Sequence, residues 1–322
     1  MNKIVVTDCS WNCYEVEKKH LPKNAEIVCT QVTSADAVVE ACRGAVAVMS
    51  EYADFSRKVM EQLPDLKIIA NSTIGVDNID LEAAKDLGIS VANVPNYCVH
   101  EVAEHAMALI AALLRNIVWY DRKVSQKIWD ISGGPTLYRM SDLTLGLIGC
   151  GQIPRRVAKM AQGFEMEVLG HDPYLPEELA KQCGIRLVSL DELCEKSDAI
   201  LAHVPLTDST ENLINKAVFD KMKKQPVFVN TARGGIVDQK ALCAALKSGQ
   251  LKGAGLDVLV DEPPDFENDE IFTFDNVIFT PHAAFYSETA LEEVRRRSAE
   301  NVTNFLQGNF DKVDFLVRNT ER

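Results

Sequence analysis

The segment Thr144-Leu145-Gly146-Leu147-Ile148-Gly149-Cys150-Gly151-Gln152 reads as an apolar strand that ends in a glycine turn and runs into a helix over 152–164. Such a turn aims backbone N–H groups and the positive end of a helix at a pyrophosphate. Gly149 and Gly151 take the first two places of a G-x-G-x-x-G pattern, and Pro154 stands at the third. Proline is tolerated in a first helical turn, where its missing N–H would have had no partner, although it adds bulk where the helix nears the strand. A plain strand-to-helix turn explains these glycines as well as a dinucleotide site does. Asp172 favours the second reading: it ends the next strand, Val168-Leu169-Gly170-His171, 23 residues after Gly149. A carboxylate there accepts hydrogen bonds from both ribose hydroxyls and repels a 2′-phosphate, which points to NAD rather than NADP. The plainer alternative is a turn former ahead of Pro173.

The same rhythm extends along the chain. Short apolar runs at 3–8, 25–31, 45–50, 66–71, 89–93, 143–149, 167–171, 186–189, 198–204, 226–231, 254–259 and 276–280 alternate with helical patterns. Most are continuously apolar, as parallel strands covered on both faces are, so the expected class is α/β with parallel sheets flanked by helices. The apolar stretch Val99–Ile117 breaks the rhythm and is long enough to cross between two lobes, and Ser287–Leu306 reads as another long helix. A helix at each junction predicts a discontinuous lobe of residues 1–98 and 285–322, with 99–284 inserted as the second lobe. Asp121–Asp142 is the least regular stretch, and Gly133-Gly134-Pro135 marks a loop or arm.

Composition narrows the function classes. The chain has 322 residues, 25% charged and 47% hydrophobic, as ordinary globular enzymes do. A net charge of −13 argues against nucleic acid as a partner. The basic cluster Arg295-Arg296-Arg297, with Glu292, Glu293 and Glu300 nearby, reads as a solvated helix face. Nine cysteines (Cys9, Cys13, Cys29, Cys42, Cys98, Cys150, Cys183, Cys194, Cys243) show no C-x-x-C pattern, so a reducing, cytoplasmic location and no structural metal are expected. The first residues lack the apolar stretch of a signal peptide, and the longest apolar run, 106–114, is too short to span a membrane.

Three further strings carry reactive groups: Asn230-Thr231-Ala232-Arg233-Gly234-Gly235, Asp261-Glu262-Pro263-Pro264 and Pro281-His282-Ala283-Ala284. Each follows an apolar strand, where open α/β sheets place ligands. Arg233 offers a planar fork that matches a carboxylate. His282 suits proton donation to a carbonyl oxygen that receives a hydride, since histidine as a residue type titrates near neutrality. Glu262 suits the support of that imidazole. Singly, they read equally as a surface arginine, a loop acid and a structural histidine; together at three strand ends they predict an acid–base site. In the first lobe, Thr73-Ile74-Gly75-Val76-Asp77-Asn78 is expected to be a glycine turn leading into a helix, with the Ile74 and Gly75 region offering N–H groups to a substrate carboxylate. Opposing grips from two lobes would exclude water during transfer.

Over essentially its whole length the chain resembles the D-isomer-specific 2-hydroxyacid dehydrogenases, relatives of phosphoglycerate dehydrogenase. The resemblance rests on Gly75-Val76-Asp77-Asn78-Ile79-Asp80, Val102-Ala103-Glu104, His203-Val204-Pro205-Leu206-Thr207, Asn230-Thr231-Ala232-Arg233-Gly234, Leu256-Asp257-Val258 through Glu262-Pro263, and Pro281-His282. It implies a Rossmann dinucleotide-binding domain inserted into a flavodoxin-like substrate domain, and NAD-dependent reduction of a small 2-oxo acid to the D-2-hydroxy acid. It also implies catalytic roles for Arg233, Glu262 and His282, and dinucleotide contacts from Gln152, Ile153 and Asp172. Val204, Thr231, Ala232 and Asp257 would line the adenosine and nicotinamide sites. A homodimer built on the cofactor lobe is expected as well, with Trp119 and Trp129 as interface or core aromatics. The chain departs from the family at Pro154, at Thr73 where glycine is frequent, and at Ala283-Ala284-Phe285-Tyr286-Ser287-Glu288. That last segment resembles the C-terminal-binding protein branch, so a dimeric NAD(H)-sensing scaffold is the alternative. Phosphite oxidation would use similar residues. Phe285 near the imidazole would favour an apolar substrate tail, or serve only as a packing aromatic.

Overall fold

The computed structural model describes residues 1–9, 11 and 14–319, so Cys13 and the last three residues of the expected 285–322 segment lie outside the described residues. Among the described residues thirteen strands follow in chain order: β1 (Lys3–Val6), β2 (Glu26–Cys29), β3 (Ala45–Ser50), β4 (Ile68–Asn71), β5 (Ser90–Ala92), β6 (Thr144–Ile148), β7 (Glu167–His171), β8 (Arg186–Leu187), β9 (Ala199–Ala202), β10 (Val227–Asn230), β11 (Gly253–Leu256), β12 (Val277–Phe279) and β13 (Phe315–Val317). The chain divides into two compact units, one of Met1–Tyr97 with Ser287–Arg322 and one of Cys98–Tyr286.

The first unit carries a six-stranded sheet in the order β2-β1-β3-β4-β5-β13, parallel except for the antiparallel edge strand β13. Its first five strands follow the doubly wound 2-1-3-4-5 order. Alternation places Val5, Val48, Ile69 and Val91 on one face, and Ile4, Met49, Ile68 and Ala92 on the other, against Ala299, Val302 and Phe305 of the helix Glu288–Leu306. Both faces are therefore covered, as the continuous apolar runs require. Ser287 caps that helix, its hydroxyl accepting the Ala290 N–H at 2.9 Å.

Arg295 corrects the solvated-face reading of the basic cluster. Its guanidinium donates to both oxygens of the fully buried Glu17 carboxylate at 2.7 and 2.9 Å and lies 5.2 Å from the Trp11 ring centre. Arg296 pairs with Glu300 and Arg297 with Asp314, at 2.7 and 2.6 Å.

The second unit holds a seven-stranded, wholly parallel sheet in the order β8-β7-β6-β9-β10-β11-β12. Its first six strands in sequence take the 3-2-1-4-5-6 order of a dinucleotide-binding sheet, whose direction of winding reverses between β6 and β9. One face packs Leu145, Leu147, Leu201 and Val229 against the helices Val99–Leu114 and Gln152–Gly163. The other packs Ile148, Ile200 and Phe228 against the helix Gln239–Lys247. The expected helix 99–117 stops at Leu114 and lies wholly within this unit. Asn116, left-handed at φ +52°, starts a second helix, Ile117–Ser125, bent by 63° from the first. The stretch expected to be irregular from Asp121 is thus helical as far as Ser125.

Candidate active site

Parallel register aligns the carboxyl ends of six strands in the second unit. His171 pairs with Ile148, Ile148 with Ala202, Ala202 with Asn230, Asn230 with Leu256, and Leu256 with Phe279. Asp172, Gly149, His203, Thr231, Asp257 and Thr280 are the next residues along the chain, so they leave the sheet from one edge. Arg233, Glu262 and His282 follow within the loops that start there.

The loop after β12 turns sharply. His282 adopts φ +52°, a left-handed conformation that L-residues rarely take. Its N–H donates to the Asp257 carbonyl at 2.8 Å and to the Thr280 carbonyl at 3.0 Å. The Asp257 side chain, 1% exposed, completes the clamp by accepting the Ala283 and Ala284 N–H groups at 2.9 and 3.0 Å and the Thr280 hydroxyl at 2.5 Å. Asp257 therefore spends its carboxylate on the loop that carries the imidazole. Thr280 and His105, which bond to each other at 2.9 Å, were not anticipated from sequence; the one hint was a hydroxyl just ahead of Pro281-His282.

His282 Nδ1 and Glu262 Oε2 lie 2.6 Å apart, the spacing of a charge-assisted hydrogen bond. The other Glu262 oxygen accepts the Leu259 N–H at 3.1 Å, which fixes the carboxylate plane. Burial pushes the Glu262 carboxyl up, but the His282 hydrogen bond and charge, the Leu259 N–H and Arg233 outweigh it and hold the group below the usual carboxylate range.

Arg233 sits on a turn bracketed by Asn230, whose amide donates to the Arg233 carbonyl at 2.8 Å and accepts the Ala232 N–H at 3.0 Å. Its guanidinium donates to the Ala232 carbonyl at 2.8 Å. Gly234 presses on the Leu259 carbonyl so closely that a Cβ there would overlap it, which brings the Arg233 turn against the loop bearing Glu262. Thr231 and Ala232 are buried, and the Thr231 hydroxyl lies 3.4 Å from His203 Nδ1. Burial, with Arg233 adding repulsion, pushes His203 down to about 4, so its ring is neutral at pH 7. Val204 follows it, half-buried, and packs on the same core.

At the winding reversal, Gly149 takes φ +88° and leaves no room for a Cβ against the His203 carbonyl. Asp172 accepts the Cys150 N–H through Oδ2 and the Tyr174 N–H through Oδ1, both at 2.8 Å, which ties the end of β7 to the glycine turn. The first backbone bond of the helix Gln152–Gly163 runs from Arg155 N to Gly151 O, so the Ile153 N–H precedes it at the glycine turn. Pro154 falls at the third helical position, buried, where it forfeits no helical bond. These features fit a dinucleotide: a backbone anion cradle, open space beside Gly151, and a carboxylate with lone pairs remaining for a diol.

In the first unit, the Gly75 turn does not lead into a helix as expected. Ile79 first bridges to Phe55, and the next helix starts at Leu81, capped by Asp80. Thr73 stiffens the turn: its hydroxyl accepts from Asn71 at 2.6 Å and donates to the Gly75 carbonyl. Asn93 holds the Ile74 carbonyl at 2.7 Å. Among the described residues the Ile74 and Gly75 N–H groups have no acceptor in the protein, which suits an anion. No cluster of three or more metal-ligating side chains occurs among the described residues.

Residues 107–284 match the D-isomer specific 2-hydroxyacid dehydrogenase, NAD binding domain. The chain is 39% identical over 312 residues to a D-3-phosphoglycerate dehydrogenase of Methanocaldococcus jannaschii, covering 96% of this chain but 58% of that relative. It is 36% identical to a glyoxylate reductase of Korarchaeum cryptofilum, covering 90% of this chain and 86% of the relative. Among solved structures it resembles a D-lactate dehydrogenase of Aquifex aeolicus complexed with NAD and lactic acid, with a TM-score of 0.91, 31% identity, and 98% and 99% of the two chains covered. The strand order, the glycine turn and these likenesses agree: the chain belongs to the D-isomer-specific 2-hydroxyacid dehydrogenase family.

Proposed function

We propose that this protein reduces a small 2-oxo acid to the D-2-hydroxy acid, with Arg233, Glu262 and His282 as its reacting machinery. The observation that carries the reading is the 2.6 Å pairing of Glu262 with His282 at the sheet edge that also presents Asp172 and the glycine turn. Gly149, Gly151, Gln152, Ile153 and Asp172 would hold the dinucleotide, with Val204, Thr231 and Ala232 beside its rings and Asp257 acting through the loop it clamps. NADH, when bound, supplies the hydride. Arg233 pairs its fork with the substrate carboxylate and polarises the neighbouring carbonyl. Because Nδ1 of His282 is committed to Glu262, proton transfer to the carbonyl oxygen falls to Nε2. Glu262 keeps the imidazole in one tautomer and stabilises its charged form before transfer.

Phe285, with its ring centre 6.3 Å from that of His282 in edge-to-face geometry, favours an apolar substrate tail. A second copy of the chain is the partner we assign to the arm of the second unit, where Trp129 and Ile131 are 91% and 84% exposed. The eight described cysteines form no disulfide with one another, in keeping with a reducing cytoplasmic setting. The test follows NADH absorbance with glyoxylate, hydroxypyruvate, pyruvate and branched or aromatic 2-oxo acids. At least one should be turned over, and His282→Ala should lower kcat roughly a hundredfold or more. A His282→Ala enzyme of nearly full activity would remove the assignment.

A further inference from the structure

His105 lies in the middle of the helix Val99–Leu114, a position whose neighbours Val102, Ala106 and Leu109 are buried apolar side chains. An aliphatic residue would satisfy that packing, yet an imidazole stands there, 25% exposed, with Nε2 2.9 Å from the Thr280 hydroxyl and 3.7 Å from Asp257 Oδ1. The direction of the chain of bonds follows from donor chemistry. The Asp257 carboxylate only accepts, so the Thr280 hydroxyl spends its single hydrogen on it at 2.5 Å. The 2.9 Å contact then requires His105 to donate from Nε2–H into a lone pair of Thr280.

From these contacts we infer that His105 is a positioning residue for the proton donor. It fixes Thr280, Thr280 fixes the Asp257 carboxylate, and Asp257 holds the Ala283 and Ala284 N–H groups that set the left-handed turn at His282. The inference rests on His282 as the donor in the proposed reaction. Backbone at φ +52° relaxes unless its surroundings over-determine it, and this relay ties that turn to a rigid helix. Misplacing a catalytic group by a fraction of an ångström lowers turnover without abolishing binding.

The test uses the full-length enzyme with NADH and whichever 2-oxo acid it turns over best. His105→Leu and Thr280→Val should each lower kcat roughly tenfold, while the substrate KM and the NADH Kd from fluorescence titration move less than about twofold. His105→Gln, which restores an N–H donor at similar reach, and Thr280→Ser should recover most of the loss. The double variant His105→Leu/Thr280→Val should fall no further than Thr280→Val alone, because both break one chain. Equal losses in His105→Leu and His105→Gln would overturn the inference, since helix packing alone would then explain them. So would near-normal kcat in both His105→Leu and Thr280→Val while His282→Ala is inactive, an outcome that leaves the proposed function standing. A fully active His282→Ala enzyme would instead remove the proposed function itself, and this inference with it.

Discussion

His203→Gln should flatten the acid sensitivity of the second unit. Ordinary histidine titrates near 6.5, and burial together with Arg233 pushes His203 down to about 4, a gap of roughly 2.5 units or about 3.4 kcal/mol. Between those two values the unfolded chain binds a proton that the folded chain refuses. Stability therefore falls as pH drops from about 6.5 towards about 4 and is insensitive to this group above that window. From pH 7.5 to 4.5 the linkage integral gives about 2.5 kcal/mol. His203 as a residue is half-buried, and solvent screening trims the expectation to about 2 kcal/mol.

Glutamine keeps a polar contact for Thr231 and removes the titration. Urea unfolding at pH 7.5 and 4.5, followed by tryptophan fluorescence, reads the difference, since Trp119 and Trp129 both lie in this unit. The wild type should lose about 2 kcal/mol more than His203→Gln across that interval. Parallel losses in the two proteins, within roughly 0.5 kcal/mol, would show that the imidazole is not held neutral and that the Arg233 turn tolerates a second cation beside it.

Glu262→Gln should lower kcat at least roughly tenfold with little change in NADH affinity, since it removes the charge facing Nδ1 but not the fork of Arg233. Because the Glu262 carboxyl is held below its usual range, its support for His282 persists through the pH at which an ordinary carboxylate protonates and fails only at more acid pH, which a kcat profile carried through that range reads. Asp172→Ser should weaken NADH binding and narrow the NADH-over-NADPH preference, read by fluorescence titration with both dinucleotides; an unchanged preference would separate Asp172 from ribose recognition. Glu17→Gln should destabilise the first unit by about 3–5 kcal/mol in urea unfolding, because it strands the Arg295 guanidinium, whose side chain is only 12% exposed.

How far the amino-acid sequence discloses this molecule depends on the range of the interaction concerned. Buried parallel strands must be apolar on both faces, so most of the thirteen strands among the described residues announce themselves as continuous runs, while the edge strand Arg186–Leu187 is short and partly polar. The thirteenth, Phe315–Val317, is three residues long and pairs antiparallel with β5; flanked by Asp314 and Arg318, it carries no local period, and distant pairing makes it a strand. Arg295 shows the same limit: a run of three arginines suggests solvent, and only the folded chain brings the buried Glu17 to one of them. At the site, each reactive side chain follows an apolar strand, so strand endings plus one register row suffice to place Arg233, Glu262 and His282 at a common edge. The relay behind them escapes such reading because His105 and Thr280 are 175 residues apart and meet only across a helix-to-sheet layer. Local chemistry thus marks the acid, base and guanidinium at the strand ends, whereas the groups packed behind them are chosen by tertiary contact. The aspartate illustrates the consequence: resemblance casts Asp257 as a cofactor contact, and only the folded chain shows that Thr280, Ala283 and Ala284 also donate to its carboxylate.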